Sequence, residues 1–227
     1  MGCKAKKEGL ILEVCVEFWG DLACFSPPYE KVERLSYPFP TPSAARGMLS
    51  SIYCKRTEFY WQITRIEVLS PIHYISFKRN EVKETVSDKP INTDDCRTQR
   101  QTMALRDVRY RITAAICPRP DYAGSEESLY QQALRRIRGG KCFMQPCLGL
   151  REFAAYFEES DGSRPPISED YDVGLMVYDV FDLHDFALRK KARPRLSLFH
   201  AVMKQGVVEV PPYDDSCVLK TGGKSRC

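Results

Sequence analysis

The stretch Asp107-Val108-Arg109-Tyr110-Arg111-Ile112-Thr113-Ala114-Ala115-Ile116 decides the fold. Val108, Tyr110, Ile112, Ala114 and Ile116 alternate with Asp107, Arg109, Arg111, Thr113 and Ala115, the two-residue period of a strand with one buried face. Two arginines mark the other face, which is expected to be open. Downstream, Ser125 stands as a helix cap with Glu126 and Glu127 in the first turn. Leu129, Ala133 and Ile137 form an apolar stripe, Arg135, Arg136 and Arg138 fill the last turn, and Gly139 stops the run. Acids at the start and cations at the end complement a helix dipole, so a helix is predicted here.

Upstream, Ile11–Trp19 puts Leu12, Val14, Val16 and Phe18 on one face and Glu13, Cys15 and Glu17 on the other, which predicts the first strand. Thr41-Pro42 reads as an N-cap and a first-position proline, followed by the stripe Ala45, Met48, Leu49 and Ile52 through Tyr53. Glu58–Leu69 returns as a strand. Trp61 and Ile63 lie on one phase and Ile66 and Val68 on the other, which predicts a bulge between them. Ile72–Thr102 is polar and mostly non-periodic and reads as a long hairpin or mobile insertion. Further strands are predicted at Arg151–Phe157 and Gly174–Phe181, with a terminal hairpin Phe199–Met203 and Val207–Val210 turning near Gly206.

The order β-α-β, insertion, β-α-β, extra strands predicts an α+β fold. It is a ferredoxin-like, RNA-recognition-motif-like antiparallel sheet with two helices on one face, a long inserted hairpin and a C-terminal β extension. The expected organisation is an RNA-binding domain over 8–157 with the inserted hairpin at about 72–104, a β extension over 158–213 packed on it, and flexible tails at 1–7 and 214–227. The face away from the helices is the one on which such domains show aromatic and basic groups to single-stranded RNA.

The 227 residues are 43% hydrophobic and 28% charged, enough for one core and incompatible with disorder, collagen or coiled coil. Leu10–Trp19 and Val173–Phe181 carry carboxylates and fall well short of the roughly 20 residues that span a bilayer, so no membrane contact is expected. The basic start Met1–Lys7 is followed by Glu8, Glu13 and Glu17 rather than a signal core. The ten cysteines are scattered without a Cys-x-x-Cys and read as cytosolic thiols, which places the protein in the cytoplasm. The net charge of +4 is uneven. Residues Ala154 to Asp185 hold nine acids and one base, whereas Arg135, Arg136, Arg138 and Lys141 have no acid between them and Arg189–Arg195 has five cations in seven. Basic clusters attract phosphate backbones.

Three histidines, His73, His184 and His200, stand apart from each other and from any cysteine pair, so neither a metal nor a cofactor is expected. Dinucleotide, phosphate-loop and esterase motifs are missing. The alternatives are a stand-alone single-stranded RNA-binding protein and, in another class, a cysteine-dependent enzyme, for which no base stands beside a thiol in sequence.

A series of motifs narrows this. Gly20-Asp21-Leu22-Ala23-Cys24-Phe25, Lys31-Val32-Glu33-Arg34-Leu35-Ser36-Tyr37, Pro42-Ser43-Ala44-Ala45-Arg46-Gly47 with Ser51-Ile52-Tyr53, and Arg79-Asn80-Glu81-Val82 are followed by Arg100-Gln101 before Leu105-Arg106-Asp107-Val108. Gln145-Pro146-Cys147-Leu148-Gly149 with Arg151-Glu152-Phe153 completes the series. Together they resemble the CRISPR-associated "Cas five" family, type I-C branch, from about Leu12 to Val210.

That resemblance implies a subunit of the type I surveillance complex, Cascade, which holds the 5′ repeat handle of CRISPR RNA and processes its precursor as a metal-independent endoribonuclease. Its partners would be CRISPR RNA, the backbone (Cas seven) and large (Cas eight) subunits, and target DNA through the complex. Some members pair a tyrosine at the end of the first helix with a Lys-His dipeptide at the start of the second. Tyr53 matches the first element, and Ser125-Glu126-Glu127-Ser128 stands where the second would be. The catalytic candidates are Tyr53, Lys55 and Lys141. The RNA-binding candidates are Arg46, Arg79, Asn80, Arg97, Arg100, Arg106, Arg109, Arg111, Arg135, Arg136 and Arg138.

Overall fold

The computed structural model describes residues 12–30, 33–84, 91–185 and 195–220. The deciding stretch is the second half of a 22-residue strand, β5 (Arg97–Pro118). It runs antiparallel between β1 (Glu13–Ala23) and β3 (Phe59–Val68), while its first half pairs with β4 (His73–Val82). Two-residue β2 (Arg34–Leu35) pairs with β5 in parallel. β6 (Tyr156–Glu159) extends the sheet beyond β1. On the other side β9 (Val207–Glu209) joins β3 and β8 (Ser197–Lys204), and β8 also pairs with β7 (Tyr171–Asp179) and β10 (Leu219–Lys220). The path is β10-β8-β9-β3-β5-β1-β6 in one ten-stranded, largely antiparallel sheet, with two helices, α1 (Pro42–Ile52) and α2 (Glu126–Arg138).

The apolar phases meet in one core. Val14, Val16 and Phe18 of β1, Tyr110, Ile112 and Ala114 of β5, Met48, Leu49 and Ile52 of α1, and Leu129, Ala133 and Ile137 of α2 are all buried in it. Thr41 Oγ1 accepts the Ala44 N–H at 3.2 Å, which caps α1 as expected. Ser125 makes no such bond, so α2 starts on the charges of Glu126 and Glu127 alone. The bulge in β3 lies between Ile63 and Arg65. The extra residue, Thr64, donates to Glu13 Oε1 at 2.7 Å and its carbonyl accepts from Val210 N at 2.9 Å. Gln205 and Gly206 both have positive φ (48° and 73°) and turn the terminal hairpin where expected.

Of the two alternatives expected for 72–104, the structure shows the long hairpin, ten residues of β4 pairing residue by residue with β5. One face of β4 is half-buried and the other exposed, and because the half-buried face carries Arg79 and Glu81 beside Ile75 and Phe77, no apolar period runs through the sequence. Its tip, 85–90, lies outside the described residues, as do 1–7 and most of the basic run 189–195. The strand expected at Arg151–Phe157 begins only at Tyr156. Before it, Leu148 N donates to Phe153 O at 2.8 Å and the Leu148 carbonyl accepts from Cys24 N at 3.0 Å, so residues 147–154 form a loop docked on the end of β1. Helix α2 ends at Arg138 with Gly139 as its C-cap, where the stop was expected, and Gly140 follows in the left-handed conformation (φ 60°).

Gly149 sits in the docked loop at φ +86°, and a Cβ there would stand 1.9 Å from the Cys24 carbonyl oxygen. Gly149→Ala is therefore expected to destabilise the fold by more than about 1 kcal/mol, through both the backbone conformation and the clash. A urea titration checks this, and an unchanged midpoint would contradict it. Among the described residues, no helix is long and apolar enough to cross a membrane.

Candidate functional site

Helix α1 ends at Tyr53, whose N–H still bonds Leu49 O while its backbone turns extended. Its carbonyl accepts the Trp61 indole N–H at 2.9 Å, and its ring stacks on Phe59 with centroids 5.1 Å apart. From this position the phenol hydroxyl donates to Gln132 Oε1 of α2 at 3.2 Å. One turn further along α2, on the same face, Arg136 Nε donates to Ile52 O at 2.6 Å. The chain then folds back. Lys141 N bonds Arg136 O at 2.9 Å and Phe143 N bonds Ser51 O at 3.1 Å, which lays residues 141–143 against the end of α1. A phenol from α1, an amide and a guanidinium from α2, and the ammonium-bearing turn after α2 are thus gathered at one place.

Burial pushes the Tyr53 pKa above its ordinary 10, with Lys55 opposing and Glu58 and Tyr122 reinforcing the shift. At neutral pH Tyr53 is consequently a protonated phenol, a donor and potential acid rather than a base. Lys55 bonds both carboxylate oxygens of Glu58 at 2.9 and 3.0 Å, and that bond raises its pKa and occupies its charge. Lys141 is exposed, and among the described residues neither it nor Arg136 is paired with a carboxylate. Gln132 was missed in the sequence, where an isolated glutamine carries no signal until α2 is packed on Tyr53.

The expected RNA-contacting cations divide into two groups. Arg109 and Arg111 do not lie on an open face. Glu17 accepts from Arg109 Nε at 2.7 Å, Arg111 at 3.1 Å and Ser160 Oγ at 2.8 Å, while Arg111 also reaches Glu67 at 3.2 Å and Arg164 O at 2.7 Å. Arg109 further pairs with Glu158 and lies 4.4 Å over the Trp19 ring. The reason lies in register: β1 places Glu17 directly opposite Arg111, and β3 places Glu67 opposite it from the other side. Burial alone would raise the Glu17 pKa, but the hydrogen bonds from Arg109, Ser160 and Arg111 outweigh it and hold the carboxyl below its ordinary range.

Arg46 grips Asp179 through two bonds of 2.7 and 3.0 Å and ties α1 to β7. Arg79 pairs with Glu152, and Arg100 with Glu81 at 3.2 Å. Arg34 touches both of these acids and so holds the β4–β5 arm to the docked loop. Arg97 pairs with Asp94, Arg106 with Asp107 and Arg138 with Glu159. Asn80 is exposed on the arm. Arg135 is exposed and, among the described residues, without a carboxylate partner; it shares the last turn of α2 with Arg136, and Lys141 follows in the turn after the helix.

The eight described cysteines are free, and burial pushes the thiols of Cys15, Cys24 and Cys147 up, away from the thiolate a nucleophile needs. His184 and His200 each bond an aspartate, at separate places. Among the described residues no group of three or more His, Cys, Asp or Glu is gathered closely enough to hold a metal ion.

The profile Cas_Cas5d, described as CRISPR-associated protein (Cas_Cas5), matches residues 13–211. A protein of Thermus thermophilus named CRISPR pre-crRNA endoribonuclease Cas5d is 38% identical over 207 residues, covering 86% of this chain and 90% of its own. One of the same name from Mannheimia succiniciproducens is 37% identical over 222 residues, covering 87% and 94%. A solved structure titled as a CRISPR-associated protein superposes with a TM-score of 0.66 at 20% identity, covering 92% of this chain and 99% of its own, and shares the fold. With a family match over nearly the whole described chain and two relatives well above a third identical, this protein belongs to the CRISPR-associated Cas5 family, in its Cas5d, type I-C branch.

Proposed function

We propose that this chain is the CRISPR RNA-binding subunit of a type I-C Cascade and that the Tyr53 site processes precursor CRISPR RNA. The observation that carries the reading is a buried Tyr53 phenol, its pKa raised by burial, beside the Arg136 guanidinium, with Lys141 following in the turn laid against the end of α1 and no described carboxylate on either cation. The names of both relatives support it. In the reaction the ribose 2′-oxygen attacks its own 3′ phosphorus, the bond to the 5′ oxygen breaks, and a 2′,3′-cyclic phosphate and a 5′-hydroxyl form. The 2′ proton passes to water. Tyr53 exchanges its Gln132 partner for the RNA and supplies a proton to the departing oxygen, while Arg136 and Lys141 meet the charge that builds on the phosphate. No metal or cofactor takes part in this route.

The order β6-β1-β5-β3, with α1 between β1 and β3 in the chain and α2 between β5 and β6, supports a ferredoxin-like RNA-binding core, with β4 as part of an inserted arm and β7–β10 as the C-terminal extension. A second reading, in which the chain holds the handle without cutting it, is favoured by Glu126 and Glu127, acids in the first turn of α2 where the family resemblance implies a Lys-His dipeptide in some members.

Arg135 and Lys141 are the phosphate contacts in this account. Each alanine substitution is expected to make the log-affinity against log-salt slope shallower by about 0.7, the value for one single-strand contact. Unchanged slopes in anisotropy titrations would remove them from the interface. Nucleic acid co-purifying with the tagged chain from its host is expected to be repeat-derived 5′ handle, with the backbone (Cas seven) and large (Cas eight) subunits attached and target DNA bound through that complex. Heterogeneous RNA on a free monomer would overturn the assignment.

A further inference from the structure

Phe143 and Met144 leave 62% and 59% of their surfaces in solvent, more than any other adjacent pair of large apolar side chains in the described chain. They are not on a loose loop. Gly140 turns the chain out of α2 at φ 60°, Phe143 N bonds Ser51 O at 3.1 Å, and Gln145 Nε2 bonds Ala155 O at 2.6 Å. One bond to the Phe143 backbone and one from the Gln145 side chain therefore hold this turn against the protein while the aromatic ring stands out in water, two residues from Lys141. Single exposed apolar residues are ordinary. An exposed aromatic ring two residues after Lys141, in the turn that leaves the Arg135–Arg136 end of α2, with no described carboxylate on any of these cations, has the chemistry of a seat for an unpaired base between phosphates. A protein partner's apolar face would find two side chains here and a ring of uncompensated charge.

We infer that Phe143 stacks on one unpaired RNA base next to the bond broken at Tyr53 and so positions the strand in that site. The inference rests on the proposed function and deepens it. The hydrogen bond to Ser51 sets the distance: Ser51 lies two residues before Tyr53 on the last turn of α1, so a base on Phe143 belongs to a nucleotide flanking the scissile phosphate. Phe143 is a positioning residue and takes no proton in the reaction.

The test uses the full-length chain and its cognate repeat RNA, with each nucleotide around the cleaved bond replaced in turn by an abasic one. The wild type is expected to lose roughly 5- to 150-fold in affinity at one abasic position, the range for one lost base–aromatic stack. Phe143→Ala should lose a similar factor on intact RNA, lose nothing further at that position, and melt at the wild-type temperature. Phe143→Trp should restore both affinity and the abasic penalty. Phe143→Ala equal to wild type on intact RNA, or losses that add at every position, would overturn the inference while leaving the Tyr53 reading in place. A wild type that neither binds nor cuts the repeat would overturn both.

Discussion

Tyr53→Phe is expected to slow single-turnover cleavage of the cognate repeat by about 10²–10⁴-fold, the range for a general acid–base group, with handle affinity nearly unchanged. The substitution removes one oxygen and keeps the ring that stacks on Phe59. It also frees Gln132, an exchange of one part-buried hydrogen bond that costs about 1 kcal/mol of stability and cannot by itself produce such a rate loss. Because burial holds the phenol pKa above 10, Tyr53 stays protonated through pH 9, and the part of the rate owed to it should persist there. Alanine at His73, His184 or His200 should have little effect, since the two with resolved partners bond aspartates elsewhere. Cleavage undiminished in Tyr53→Phe would put the active site in another place.

The second large effect is on stability. Arg111→Ala leaves Glu17, about 3% exposed, in the sheet with one of its two nearest cations gone, and breaking a buried ion pair in this way costs about 3–5 kcal/mol. The urea midpoint is the measurement. A phosphate-contacting arginine would behave oppositely, with a shallower salt slope and an unchanged midpoint. Glu17 also gives a pH signature. Its folded pKa lies below the ordinary 4.5, so its contribution is present above that value and is lost as the pH falls through the depressed one. The wild type should therefore weaken more steeply below pH 4.5 than Glu17→Gln, and parallel curves would show that the cluster does not hold the sheet.

Residue periodicity shows the elements of this fold wherever one face is apolar. It locates β1, the bulge in β3, both helices and the deciding half of β5, because their buried faces repeat every two or three to four residues. It fades at β4, where the half-buried face mixes Ile75 and Phe77 with Arg79 and Glu81, and fails at residues 147–154, where docking on Cys24 rather than composition shapes the loop. The site divides in the same way. Tyr53 and the cations after α2 are visible as residue types in sequence. Arg111 looks identical to Arg135 there, and only cross-strand register shows that one faces Glu17 and Glu67 and the other faces water. Arg46 is the same case, since Asp179 is distant in sequence.

The central claim is that this chain cuts its own repeat through a phenol and cations. The most direct measurement is incubation of the purified full-length protein with cognate repeat RNA in excess EDTA, followed by analysis of the fragment ends. A single cut is expected, as fast as without EDTA, leaving a 2′,3′-cyclic phosphate upstream and a 5′-hydroxyl downstream. An intact repeat, a cut abolished by EDTA, or a 5′-phosphate on the downstream fragment would contradict it.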